Sequence, residues 1–126
     1  MILVIGGAYQ GKLSYVKEKY RLEDQDIYIC KEGQSELTTD KRVIYGLEHI
    51  ILSQVKKGMD STCYIKENIA SLQDKILVCV DASCGIVPMD KDLRAYREAS
   101  GRTLSYLANK ADEVIRIFCG IGSKIK

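Results

Sequence analysis

Apolar residues in this chain come in short blocks separated by mixed, charged stretches. Ile2-Leu3-Val4-Ile5 is the first block, closed by Gly6-Gly7. A short β-branched run that ends in glycine fits a strand buried on both faces. Ile27 to Cys30, Arg42 to Tyr45, Ile76 to Val80 and Val114 to Cys119 repeat the pattern. After the last block, Gly120-Ile121-Gly122 reads as a turn, and Lys124-Ile125-Lys126 predicts a short edge strand.

Between the blocks the apolar spacing changes to that of helices. Lys12 to about Arg21 carries Leu13, Tyr15, Val16 and Tyr20 among charges. Leu47, Ile50, Ile51 and Val55 recur at helical intervals up to Lys57. Gly58 is placed to stop that helix. Ser61 to Leu72 predicts a further helix capped by Ser61 or Thr62. Residues 89–110 predict a long one, with Leu93, Tyr96, Leu104, Leu107 and Ala111 on one side and an interruption at Gly101. Residues 31–41 are polar and read as loop. Strands that alternate with helices imply a mostly parallel sheet with helices on both faces.

The totals narrow the picture. A length of 126 residues suits one domain spanning 1–126. A formal net charge of +2 is too balanced for a nucleic-acid or anionic-membrane surface. No apolar run is long enough to span a bilayer, and the first residues read as strand and turn rather than as a secretion signal. The expected location is the cytosol. Cys30, Cys63, Cys79, Cys84 and Cys119 are odd in number, with no CxxC spacing, and His49 is the one histidine. That argues against a disulfide framework and against a metal site of the zinc type. Cys30, Cys79 and Cys119 sit in apolar runs and read as small buried hydrophobes.

One segment carries chemistry. Gly6-Gly7-Ala8-Tyr9-Gln10-Gly11-Lys12-Leu13 fits G-x-x-x-x-G-K, and it follows a strand and opens a helix. Glycines let backbone N–H groups converge on phosphate oxygens, the helix start adds partial positive charge, and the lysine neutralises the β- and γ-phosphates. The fold class is therefore α/β, a three-layer domain of the P-loop NTPase type. The position after Lys12 ordinarily holds a Ser or Thr hydroxyl for Mg²⁺; here it is Leu13, and Ser14 points about a quarter-turn away. The plain alternative is a glycine-rich turn with an exposed lysine; the strand before it favours phosphate binding.

The C-terminal third carries a resemblance. Gly85-Ile86-Val87-Pro88, Tyr96-Arg97-Glu98-Ala99-Ser100-Gly101-Arg102, Ala111-Asp112-Glu113-Val114 and Gly120-Ile121-Gly122-Ser123-Lys124-Ile125-Lys126 stand in that order. With the first eight residues and Tyr28-Ile29-Cys30, they resemble the adenosylcobinamide kinase/guanylyltransferase family of cobalamin biosynthesis. The likeness spans roughly residues 1–30 and 76–126 and is poor between them. It implies ATP or GTP as cofactor, Mg²⁺ with it, and a cobinamide-type corrinoid as the second partner. It also implies phosphorylation of the corrinoid's aminopropanol hydroxyl, GMP transfer through a guanylated histidine, and homo-oligomeric assembly as an option.

The chain departs from that family at chemically important positions. Leu13 replaces the Mg²⁺-binding serine. The family's third strand ends in an acidic residue; here Tyr45 is followed by Gly46-Leu47, with Glu48 two places later. Asp81 stands where the family has glutamate, but Val80 replaces the asparagine before it, and Ser83 replaces a glycine. Leu104-Ser105 replace an Asn-Gln pair. Residues 31–42 hold no histidine, and His49 falls after the third strand, so it reads as a helix-face residue. Lys12 and Asp81 are the catalytic candidates, Asp81 because ligands of open α/β sheets bind at the strands' carboxyl ends; its alternative role is an N-cap. Three functions fit: a nucleotide-dependent kinase with impaired or lost guanylyltransferase activity, an inactive paralogue that binds nucleotide or corrinoid, and an interaction protein that keeps only the fold, for which exposed Tyr9 and Tyr106 would suit an interface.

Overall fold

The structure is a computed structural model that describes residues 1–82 and 90–126. Six strands form one sheet: β1 (Ile2–Gly6), β2 (Ile27–Ile29), β3 (Val43–Tyr45), β4 (Ile76–Val80), β5 (Glu113–Phe118) and β6 (Ile121–Lys124). Their order across the sheet is β2-β3-β4-β1-β5-β6. All pairs are parallel except β5 with β6. The helices are α1 (Lys12–Tyr20), α2 (Leu47–Lys56), α3 (Ser61–Glu67), α4 (Ile69–Leu72) and α5 (Lys91–Lys110), and a 3₁₀ turn at Asp24–Asp26 leads into β2.

Alternation along the strands splits the core in two, because successive side chains point to opposite faces. Leu3, Ile44, Leu77, Cys79 and Val114 pack against α2, α3 and α5 through Leu47, Ile50, Ile51, Ile65, Leu104 and Leu107. Val4, Val43, Ile76, Val78, Ile115 and Ile117 pack on the other face, where α1 contributes Val16. Burial on both sides explains why these strands are almost continuously apolar rather than alternating.

Several local expectations are corrected. The helix over 61–72 is two short helices, α3 and α4, with a break at Asn68, whose side-chain amide donates to the Tyr64 carbonyl at 2.8 Å. Its cap is Asp60, which accepts from Thr62 N at 2.9 Å, and not Ser61 or Thr62. Ser61 Oγ is instead drawn inward to Thr103 Oγ1 at 2.8 Å, joining α3 to α5. The last turn is Cys119-Gly120, both with positive φ (51 and 76), and Ile121 and Gly122 already belong to β6. Two residues of positive φ between paired Phe118 and Ile121 make a tight hairpin whose twist suits the strands. Cys119 is therefore exposed, whereas Cys30 and Cys79 are buried as expected.

Gly101 does not interrupt α5, which starts at Lys91 under the cap of Asp90. Buried Ala99, Ser100, Thr103, Leu104 and Leu107 hold the helix together across it, so packing outweighs the roughly 1 kcal/mol that an interior glycine costs. A Cβ at Gly101 would meet nothing within 4 Å. Gly101→Ala is accordingly expected to stabilise the fold by about 0.5–1 kcal/mol, read as a raised midpoint in urea unfolding. Ser83, Cys84, the Gly85-Ile86-Val87-Pro88 motif and the predicted first residue of the last helix lie outside the described residues.

Candidate functional site

β1 ends at Gly6 in the middle of the sheet, and the chain turns through residues 7–11 into α1. Two close approaches fix that turn. A Cβ on Gly6 would lie 2.6 Å from the Ile117 carbonyl oxygen of the neighbouring strand. Gln10 ties the turn to the β5–β6 hairpin: its side-chain oxygen accepts from Cys119 N–H at 2.6 Å, and its carbonyl accepts from Gly120 N–H at 2.8 Å. Next to this, the ring of Tyr15 lies over Gly122 where a Cβ would be. Tyr9 (φ 59) and Gly11 (φ 83) are left-handed, and the Tyr9 side chain is fully exposed at the apex.

Lys12 is the first residue of α1, and only 5% of it is exposed. Its ammonium donates to the Gly7 carbonyl at 2.6 Å, so it folds back under the turn. Burial pulls its pKa below the ordinary lysine value, and nearby Glu48 and Cys79 pull the other way. The plain alternative of an exposed lysine is thus not what the fold builds.

A cavity of about 560 Å³ opens beside this lysine. Ala8 to Ser14 form one wall, and Tyr45, Glu48, His49 and Val80 form the other. It sits at the carboxyl ends of β3 and β4, where open α/β sheets bind ligands. Gly46 shapes the second wall. Its φ of 84 turns the chain abruptly from β3 into α2, and its N–H is held by the Val78 carbonyl at 3.1 Å. The second residue of α2, Glu48, is thereby brought to the cavity.

Glu48 is the residue that sequence reasoning missed. Burial raises its carboxyl above the ordinary range; backbone N–H groups of Glu48 and Val80, with His49 and Lys12, oppose the rise. Its Oε2 is buried and has no hydrogen-bond partner among the described residues. An unsatisfied buried acceptor costs roughly 1–3 kcal/mol, more when charged. The signal available in the sequence was weak: an acid two residues off the expected strand end, turned inward by a glycine. Cys30 lies behind the same wall, its thiol pushed up to about 12 by burial and by Glu48.

Asp81 is placed differently. Its N–H donates to the Gly6 carbonyl at 2.9 Å, just past β4. With Gly6, Gly7, Gln10 and Arg116 it lines a separate cavity of about 160 Å³. The two catalytic candidates of the sequence, Lys12 and Asp81, therefore flank the same turn but face different cavities. His49, read as a helix-face residue, lies on α2 and also lines the Lys12 cavity. Leu13 lines it too and offers no oxygen; Ser14 is exposed at its rim. Of the two tyrosines considered for an interface, Tyr9 is exposed, while Tyr106 packs partly against the core beneath Lys66 and Lys110.

Among the described residues no group of three or more His, Cys, Asp and Glu side chains could cage a metal. A Mg²⁺ ion does not need one: it uses one or two carboxylates, the substrate's phosphates and several waters. Glu48, with its unpartnered buried oxygen, fits that requirement.

A family model described as cobinamide kinase / cobinamide phosphate guanyltransferase (CobU) matches residues 44–125, more than half of the chain. The chain belongs to this family. The match begins within β3, so this cobinamide kinase/guanyltransferase member shares with its family the middle of the chain, where the sequence resemblance looked poor. Residues 1–43, which include the Gly6–Leu13 turn, lie outside the matched segment. No curated protein matches the chain. Among the described residues, no helix is long and apolar enough to cross a membrane.

Proposed function

We propose that this family member binds ATP or GTP with its phosphates in the Gly6–Leu13 turn and transfers the terminal phosphoryl group to the hydroxyl of a cobinamide-type corrinoid. The observation that carries this reading is Lys12, buried at the helix start and beside the large cavity, with Gly7, Gly11 and the start of α1 around it. A bound phosphate would draw the ammonium away from the Gly7 carbonyl and meet the N–H groups of the turn. In transfer, the acceptor hydroxyl oxygen forms a bond to the γ-phosphorus and the γ-phosphorus–bridging oxygen bond breaks. The hydroxyl proton leaves to solvent or a carboxylate, and the nucleoside diphosphate keeps the bridging oxygen. Such reactions depend almost wholly on positioning and charge neutralisation. Asp81, on the other side of the turn, is proposed as a second acidic group near the transferring end.

Guanylyl transfer is proposed to be impaired or lost, because residues 31–42 hold no histidine. The loss of the hydroxyl at Leu13 supports a second reading, an inactive paralogue that binds nucleotide or corrinoid without turnover. One experiment separates the two. Purified protein is titrated calorimetrically with ATP and GTP, each with and without Mg²⁺, and then incubated with nucleotide and cobinamide. Saturable binding with phosphorylated cobinamide is expected. Binding without product leaves the inactive paralogue, and a covalent GMP adduct after incubation with GTP would overturn the proposed loss of guanylyl transfer. Absence of nucleotide binding removes the kinase reading and leaves a corrinoid-binding paralogue or an interaction protein.

A further inference from the structure

The nucleotide reading, on which this inference rests, leaves one group of the cavity wall without a task. Glu48 Oε2 is a buried acceptor with no partner among the described residues, on a side chain that faces the Lys12 cavity. Groups of that kind persist in folded proteins where something other than the protein satisfies them. What satisfies this one must carry positive charge or donate hydrogen bonds. A nucleotide's phosphates do neither, and they would repel a carboxylate across the same cavity. A cation between carboxylate and phosphates turns that repulsion into attraction.

The surroundings favour a divalent ion. Leu13 supplies no hydroxyl where phosphate loops usually offer one to Mg²⁺. Glu48 is the one carboxylate among the described residues that line this cavity; Asp81 lines the other. One carboxylate with phosphates and waters is a normal complement for Mg²⁺. The turn at Gly46 holds the residue rigidly, since α2 is packed through Leu47, Ile50 and Ile51.

We propose that Glu48 anchors the divalent cation that accompanies the nucleotide's phosphates, directly or through an ion-bound water, in place of the missing hydroxyl at position 13. The test compares nucleotide affinity with and without metal. The full chain and its Glu48→Gln and Glu48→Asp variants are titrated with ATP and GTP in chelator and in excess Mg²⁺. Mn²⁺ replaces Mg²⁺ in a parallel series, so that the bound ion is also followed by its electron paramagnetic resonance. Circular dichroism verifies that each variant is folded.

In the wild type, Mg²⁺ is expected to tighten nucleotide binding. Glu48→Gln is expected to lose on the order of 10- to 100-fold of that gain, the usual effect of removing a group that holds a metal or its water. Its metal-free affinity should rise, because a negative charge near the phosphates has gone. Glu48→Asp should retain part of the gain, and the Mn²⁺ signal of the complex should change in both variants. A Glu48→Gln protein that keeps the full metal gain overturns the role of Glu48 while leaving nucleotide binding intact. A wild type that binds neither form of nucleotide overturns both.

Discussion

Lys12→Met should weaken ATP and GTP binding by about 10- to 100-fold while leaving the protein at least as stable as before. The first half follows from charge. Hydrogen bonds from an ammonium to phosphate are worth about 1.5–3 kcal/mol, and 1.4 kcal/mol is a factor of ten in affinity. The second half follows from burial. Lys12 is almost wholly enclosed, its pKa is lowered chiefly by desolvation, and its ammonium donates to the Gly7 carbonyl. A lowered lysine pKa means that the fold disfavours the charged form, so deleting the charge relieves that penalty. Methionine keeps the apolar stem in place. Two losses oppose the gain: the Gly7 carbonyl loses its donor, and Glu48 forfeits a nearby positive charge, so its carboxyl should rise further. Calorimetric titration and a thermal melt on the same preparation check both halves. Binding unaltered by the substitution would mean that phosphates do not sit at this turn.

Gly6→Ala is expected to destabilise the protein by about 3 kcal/mol, the upper end of the usual penalty for overpacking. The added Cβ would lie 2.6 Å from the Ile117 carbonyl oxygen. Gly6 and Ile117 are register partners in the parallel pair β1–β5 at the centre of the sheet, so the obstruction is backbone fixed on both sides. The strand can escape only by shifting, which would carry the following turn with it and lower nucleotide affinity as well. Urea unfolding should show a lower midpoint with an unchanged slope, since the surface exposed on unfolding stays the same. A loss under about 0.5 kcal/mol, the size of an ordinary surface substitution, would mean that the close approach is not present in solution.

The sequence on its own determined the architecture. Apolar runs such as Ile2–Ile5 and Ile76–Val80, short, β-branched and closed by turn residues, read as strands covered on both faces, and the helical spacing at Leu47, Ile50 and Ile51 supplied one of the covers. Because a local period and a glycine after a strand depend on neighbours in the chain alone, the βα turn at Gly6–Lys12 was legible too. What sequence left undecided depends on groups distant along the chain. The continuity of α5 through Gly101 comes from burial against α2 and α3. The capping of α3 by Asp60 goes with Ser61 bonding across to Thr103, and the exposure of Cys119 follows from the pairing of Phe118 with Ile121. The candidate site divides the same way. Lys12 could be named from a motif, but only the fold shows that it is buried, that Asp81 faces another cavity, and that Gly46 swings Glu48 and His49 into the wall opposite. A motif records the residues one short segment contributes; the partner of a buried charge is set by which strand ends the topology brings side by side.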